Sequence, residues 1–154
     1  MTNPEADRVF ISYETINGLT LARLAKMTLR DRGLLGWVWH DDSKVGAYVH
    51  DEIAARIQDH QHFLCLCTQE TQDSDGQAFE RKIALWLKKL PIIIAFDKDH
   101  IPLALVGSHE LRTTIANFPR DCDAAADEIA RRNGISLPVA TEIAAQEQLD
   151  GGAK

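Results

Sequence analysis

The stretch HFLCLCT at residues 62–68 decides the class of fold, because it is apolar at nearly every position. A strand with one solvent-exposed face alternates apolar and polar residues, whereas a parallel strand covered on both faces is apolar throughout. VFISY at 9–13 and PIIIAF at 91–96 have the same character. These three runs therefore predict central strands of a parallel sheet.

Amphipathic segments separate these runs and complete the fold prediction. Apolar residues recur at helical spacing in 21–29, 49–60, 79–90 and 122–132, with helix ends at Gly33 and Asn133-Gly134. Two further strands are predicted at 37–39, where Trp37 and Trp39 would share a face, and more weakly at 113–118. Alternating strands and helices indicate an α/β fold, a flavodoxin-like, doubly wound, five-stranded parallel sheet with helices on both faces.

Length and composition favour one soluble domain. The chain has 154 residues, with 17 Lys and Arg against 23 Asp and Glu, which gives a net charge of −6. An acidic chain is poorly suited to bind nucleic acid directly, and its apolar runs are far shorter than the roughly 20 residues that cross a membrane. An odd number of cysteines, 3 in all, favours free thiols in a reducing cytoplasm. We expect a domain at 1–135 and a tail or linker at 136–154.

Polar side chains follow three of the predicted strands. In open parallel sheets, ligands bind outside the carboxyl ends of the strands, so the loops that follow Tyr13, Trp39 and Thr68 should meet there. The residues that can converge at this edge are Ser12, Tyr13, Asn17, Asp41, Asp42, Lys44, Ser74 and Glu80.

Glu80 is the sharpest candidate among these residues. Ser74 or Asp75 can cap the helix that carries it, and Glu80 follows Phe79, about 100° around the helix from the apolar stripe. This position puts its carboxylate at the boundary between core and cleft, where a pKa can be tuned. The alternative is a solvated glutamate near a helix N-terminus, where the helix dipole favours a negative charge.

The order of these segments resembles that of TIR (Toll/interleukin-1 receptor) domains over about residues 9–133. VFISY resembles the family's first strand, Trp39-His40-Asp41-Asp42 with Gly46 resembles its second strand and BB loop, and Phe63–Thr68 resembles its third strand. Ser74, Gly76 and Glu80 occupy the S-x-W-x-x-x-E pattern of TIR domains that cleave NAD+. Gly76 replaces the tryptophan of the pattern, and Asn17 replaces the usual acidic residue after the first strand.

The resemblance implies an NAD+ glycohydrolase or cyclase of prokaryotic type, acting in antiviral defence or NAD-derived signalling. Glu80 would be the catalytic residue. NAD+ would be the substrate, without a separate cofactor. The implied substrate-binding residues are Phe10, Ser12, Tyr13, Asn17, Asp41, Lys44 and Ser74. The resemblance also implies self-association through the loop 40–46, and a fused or separate sensor or effector domain.

Other interpretations remain open. A TIR adaptor would act by assembly alone, and a nucleoside deoxyribosyltransferase-like enzyme has a similar fold and glutamate chemistry. His60, His62, Cys65 and Cys67 suggest a metal site, but the two cysteines lie inside an apolar strand, where buried structural cysteines are common, so we expect no metal. The cation pairs Lys88-Lys89 and Arg131-Arg132 stand near helix ends, where they complement the helix dipole.

Overall fold

The computed structural model describes residues 4–44, 46 and 48–135, so the tail predicted at 136–154 lies outside the described residues. Five parallel strands form one sheet in the order β2-β1-β3-β4-β5. The strands are β1 (Arg8–Ser12), β2 (Leu35–Trp37), β3 (His62–Cys67), β4 (Ile92–Ala95) and β5 (His109–Arg112). The helices are α1 (Leu19–Asp31), α2 (Trp39–Asp42), α3 (Val49–Gln58), α4 (Asp75–Trp86) and α5 (Phe118–Ile135). In the part of the chain that the structure describes, no helix is long and apolar enough to cross a bilayer.

The two faces of the sheet carry separate apolar clusters, and this confirms the doubly wound α/β prediction. Residues of α1 and α5 pack on one face and residues of α3 and α4 on the other. Along β3, Leu64 and Leu66 belong to the first cluster, whereas Cys65 and Cys67 belong to the second. Burial on both faces explains why the central strands are apolar without alternation. The cysteines are free and buried, as predicted.

Both edge strands differ from the sequence prediction. The fifth strand is not at 113–118 but at His109–Arg112, and Phe118 instead begins α5. The second strand ends at Trp37, and Trp39 begins the short helix α2, so these two tryptophans do not share a strand face. An edge strand has one hydrogen-bonded neighbour and more solvent contact, so its sequence needs no apolar run; β5 reads HELR and is largely exposed.

Two helices also end at residues other than those predicted. The apolar spacing predicted a third helix that extends to Leu90, but α4 ends at Trp86. Trp86 and Leu90 fit the spacing of the apolar residues in the sequence, but both side chains are exposed and do not join the core. The last helix continues through Asn133-Gly134 to Ile135 instead of ending there, because a glycine near a helix end weakens a helix without forbidding it.

Candidate active site

A cavity of about 460 Å³ opens at the carboxyl edge of the sheet. Its walls include Tyr13 and Glu14 after β1, Trp39 of α2, Ile53 of α3, and Ser74 and Glu80 of α4 or its cap. The cavity lies where the topology of an open parallel sheet places a ligand. Two of the three loops that the sequence predicted at this edge, those after Tyr13 and Thr68, therefore contribute to one site, whereas none of the described residues of the loop 40–46 lines it.

The Glu80 carboxyl group lies in the wall of this cavity and is almost fully buried, with 7% of the residue exposed. The Ser12 hydroxyl donates a 2.7 Å hydrogen bond to Glu80 Oε1. Burial raises the pKa of Glu80 to about 8, although the Ser12 hydrogen bond acts in the opposite direction. A carboxyl group with this pKa is largely protonated at neutral pH, and a cation brought into the cavity would favour its ionised form.

The local sequence of α4 accounts for the position of Glu80. The Ser74 hydroxyl, one of the two caps that the sequence allowed, accepts a 3.1 Å hydrogen bond from the Gln77 backbone N–H. With the helix start fixed in this way, Gln77, Glu80 and Ala84 share its buried side. The cap therefore sets which residue of the helix reaches Ser12.

Gln77 is a residue of the site that the sequence interpretation missed. Its side chain is fully buried, and its Nε2 donates to the Leu66 carbonyl oxygen at 3.0 Å and to Ser12 Oγ at 3.3 Å. Because a carbonyl oxygen only accepts, the NH₂ group must face Leu66. Ser12 Oγ then accepts from Gln77 and directs its own proton to Glu80. A glutamine three residues before Glu80, on the same helix face, was the available signal.

Glu14 is a second missed residue, and it organises the loop after β1. It is 2% exposed, and its carboxylate accepts hydrogen bonds from the backbone N–H groups of Ile16 (2.6 Å) and Asn17 (2.9 Å). The Thr68 hydroxyl donates a further bond of 2.8 Å to it, which ties this loop to the end of β3. The sequence interpretation placed Asn17 at the position of the family's acidic residue, but the buried acid after β1 is Glu14. Its signal was an acidic residue directly after an apolar strand.

The other predicted site residues divide into three groups. Tyr13, Ser74 and Glu80 line the cavity, and the buried Ser12 is joined to it through its hydrogen bond to Glu80. Tyr13 Oη accepts a 3.0 Å hydrogen bond from the His40 backbone N–H. Three residues do not line it: Asn17 donates to Glu70, Asp41 pairs with Arg23 at 2.7 Å, and Lys44 is exposed.

Phe10 lies behind the site in the core. It is 1% exposed and its ring stacks on Phe63 and Trp37 at centroid distances of 5.7 and 5.2 Å. The structure does not bring it to the cavity.

The cavity is strongly acidic. Five carboxyl groups line it, those of Glu14, Glu70, Asp73, Asp75 and Glu80, and the described lining residues include no Lys, Arg or His. Over the described ranges, no group of three or more His, Cys, Asp or Glu residues has an arrangement that could hold a metal ion. The five carboxyl groups therefore suit a cationic group.

Gly76 leaves space in the cavity wall at the position of the family's tryptophan. A Cβ atom built on Gly76 would meet only Ser74 Oγ, at 3.9 Å. Tyr13 and Trp39 supply the aromatic surface of the cavity. Phe79 instead stacks on His50, with ring centroids 4.4 Å apart.

Comparison with known proteins identifies the family and supports the fold. The family model of the TIR domain matches residues 9–131. The TIR domain of the Toll-related receptor TRR-2 from Hydra magnipapillata is 15% identical, with a TM-score of 0.65 over 77% of this chain and 97% of that one. A TIR-STING receptor from C. gigas, solved with 2′,3′-cGAMP, is 18% identical, with a TM-score of 0.69 over 84% of this chain and 41% of the receptor.

The TIR domains of the activated Roq1 resistosome, which recognises the pathogen effector XopQ, are 13% identical, with a TM-score of 0.59. They are matched over 81% of this chain and 98% of theirs. No curated protein sequence matches the chain. At these identities the solved structures show a shared fold. The TIR family model matches most of the sequence, and the chain therefore belongs to the TIR domain family.

Proposed function

We propose that this TIR domain cleaves the nicotinamide–ribose bond of NAD+, with Glu80 as the catalytic residue. One observation carries the proposal: the Glu80 carboxyl group is buried in the wall of a cavity of about 460 Å³ and is held by the Ser12 hydroxyl at 2.7 Å. A structural glutamate on a helix surface would be solvated. The perturbed pKa of Glu80, about 8, is typical of a functional group in a cleft.

The reaction suits a single carboxylate. Ordinary glycosidases use one carboxyl group to protonate the leaving oxygen and a second on the other face of the sugar. In NAD+ the nicotinamide is already cationic; when the bond between ribose and nicotinamide breaks, both electrons go to the ring nitrogen and neutral nicotinamide leaves. Water then adds to the ribose cation and releases a proton, or a ring nitrogen of adenine adds and gives a cyclic product. Ionised Glu80 would stabilise the positive charge that develops on the ribose.

The charge of the cavity suggests how the dinucleotide is oriented. Five carboxyl groups favour the cationic nicotinamide riboside half inside the cavity and repel the diphosphate. The diphosphate would then extend toward solvent, where the exposed cation Lys44 is available. In this arrangement the residues next to Glu80 in the site are Ser12, Tyr13 and Ser74. Phe10 packs in the core behind β1 and does not contact the substrate.

Assembly is the second part of the proposal. We infer that the loop 40–46 contacts a neighbouring TIR domain and that a fused or separate sensor domain brings the copies together, in cytoplasmic antiviral or stress defence. Two of the similar structures support this, one from an activated resistosome and the other from a TIR-STING receptor. Gly46 has a φ of 86°, a backbone conformation that proline cannot adopt.

The competing function is that of a TIR adaptor without catalysis. Gly76 favours it, because the cavity has no aromatic side chain at the position where the family pattern has tryptophan.

Purified protein incubated with NAD+, and in parallel with deoxynucleosides, separates these functions. We expect NAD+ consumption with nicotinamide release, and a loss of roughly 100-fold in rate for Glu80→Gln, which keeps the shape but not the charge. Glu110→Gln is the matched control, since Glu110 is an exposed glutamate of β5 outside the cavity, and it should retain activity.

A protein dilution series tests assembly in the same assay. Specific activity should rise with protein concentration if a neighbouring domain stabilises the active conformation of the loop, and Gly46→Pro should remove that rise.

Equal activity of the wild type and Glu80→Gln would exclude Glu80 as the catalytic residue. Absence of NAD+ consumption at every concentration, with self-association intact, would instead support the adaptor, and cleavage of deoxynucleosides alone would support the transferase.

A further inference from the structure

A second cavity, of about 540 Å³, lies at the opposite edge of the sheet, where β3 and β4 begin. The turn between α4 and β4, the start of β3 and the end of α5 form its walls. It brings together the pairs Lys88-Lys89 and Arg131-Arg132, which are far apart in the sequence. Four cationic side chains therefore line one concave site in a chain whose net charge is −6.

The charge of this cavity is not cancelled by its own walls. None of the described residues that line it is acidic. Glu128 lies beside it and accepts hydrogen bonds from Arg131 Nη2 at 2.6 Å and Arg132 Nε at 2.7 Å. Arg131 Nε also donates to Glu128 at 2.9 Å, so this one carboxylate is shared by both arginines. The Arg132 Nη1 also donates to the Leu90 carbonyl oxygen at 2.5 Å, so the guanidinium group is fixed before any ligand arrives.

Lys88 occupies a backbone position that favours glycine. The Lys88 N–H donates to the Leu85 carbonyl oxygen at 3.0 Å and the Lys89 N–H to that of Ala84 at 2.9 Å, the pattern of a Schellman helix end. Lys88 has a φ of 61°, which an L-residue adopts at a cost that glycine avoids. A cation could complement the helix dipole from a neighbouring unstrained position, so the dipole alone does not explain lysine here.

We propose that this cavity binds a small phosphate-bearing ligand of nucleotide size. Guanidinium and ammonium groups bind phosphate oxygens through charge-assisted hydrogen bonds, and arginine can do so with two parallel bonds. The volume of about 540 Å³ falls in the usual range of small-ligand sites. Leu87 and Leu90 line the same cavity and offer an apolar surface to a base or sugar. This site is separate from the Glu80 cavity and does not depend on the proposed cleavage of NAD+.

The test is an NMR titration of the whole chain with ADP and with inorganic pyrophosphate. We expect saturable shifts in the amide signals of 61–62, 87–90 and 131–132. Lys88→Gly should weaken binding by roughly tenfold through loss of a charged hydrogen bond. The same substitution should raise Tm, because glycine relieves the left-handed backbone. Lys98→Asn is the matched control, since Lys98 is also exposed and its replacement removes the same charge.

The combination of a higher Tm with weaker binding is specific to the proposal, since a purely structural Lys88 would change Tm alone. Unchanged affinity in Lys88→Gly would overturn the proposal, as would equal weakening in Lys98→Asn. Shifts confined to the Glu80 cavity, or binding of duplex DNA without binding of ADP, would overturn it as well.

Discussion

Two buried glutamates at opposite edges of the sheet have opposite electrostatics. Glu80 is 7% exposed and Glu128 is 8% exposed, yet the pKa of Glu80 is raised to about 8 and that of Glu128 is lowered to about 2. Glu80 has the Ser12 hydroxyl as its partner, whereas Glu128 has Arg131 and Arg132. At Glu80 burial outweighs the opposing Ser12 hydrogen bond and favours the neutral form, whereas at Glu128 the hydrogen bonds from Arg131 and Arg132 outweigh burial and favour the ionised form.

The pH dependence of stability should separate the two residues most clearly. Between about pH 4.5 and 8, folded wild-type protein holds a proton on Glu80 that the unfolded chain releases, so its free energy of unfolding falls as pH rises. Glu80→Gln has no such proton. It should therefore be more stable than the wild type by on the order of 3 kcal/mol at pH 7, and equal to it near pH 4.5.

Glu128→Gln should change the free energy of unfolding in the opposite direction and be less stable than the wild type at pH 7. Its lowered pKa stabilises the fold above about pH 4.5, and this stabilisation is lost as pH falls toward about 2. Because the Arg131 side chain is 55% exposed, solvent screening limits the expected loss at pH 7 to about 1–2 kcal/mol. Urea unfolding of the three proteins from pH 2 to pH 9 measures both effects, and parallel curves would refute the contrast.

The same pKa predicts the pH dependence of catalysis. The kcat/KM for NAD+ reports the free enzyme, and ionised Glu80 is the form that stabilises a ribose cation. We therefore expect kcat/KM to rise roughly 50-fold from pH 6 to pH 8 and to level off above about pH 9. Initial rates at low NAD+ concentration measure this profile. A kcat/KM that falls above pH 8 would mean that neutral Glu80 is the active form.

We expect Gln77 to affect the pKa of the Glu80 carboxyl group without contacting the substrate. Gln77→Met keeps the volume of the side chain but removes the N–H that fixes the Ser12 hydroxyl. The pKa of Glu80 should then rise above 8, and kcat/KM at pH 7 should fall by up to about tenfold, with recovery at higher pH. A fall that is the same at every pH would indicate a purely structural role. Gln72→Met, at an exposed glutamine, is the control.

The sequence predicted the parts of the molecule whose causes are local. Central strands such as β3 are buried on both faces, so their apolar runs identify them, whereas the exposed β5 has no such run. Ser74 and Glu80 followed from a helix cap and helical spacing. The role of Gln77 depends on Ser12 and Leu66, which are distant in the chain, so spacing alone could not reveal it.

Substitution of Gly76 should have the smallest effect on kinetics, and it tests directly whether an aromatic side chain in the acidic cavity contributes to the binding of nicotinamide. The open space around the Cα atom of Gly76 admits a side chain, so Gly76→Trp should add a third aromatic ring to the cavity, besides Tyr13 and Trp39. Stacking on nicotinamide would lower KM by about fivefold with little change in kcat, since a ring pair contributes roughly 1 kcal/mol.

Gly76→Ala is the matched control, because it supplies the higher helix propensity without a ring. Steady-state kinetics of the three proteins then isolates the contribution of the ring. An equal decrease in KM for the alanine variant would attribute the gain to a more rigid helix start. An increase in KM for tryptophan alone would mean that Trp39 already fills the nicotinamide position, so that Gly76 is an adaptation of this cavity to the substrate and not a defect in it.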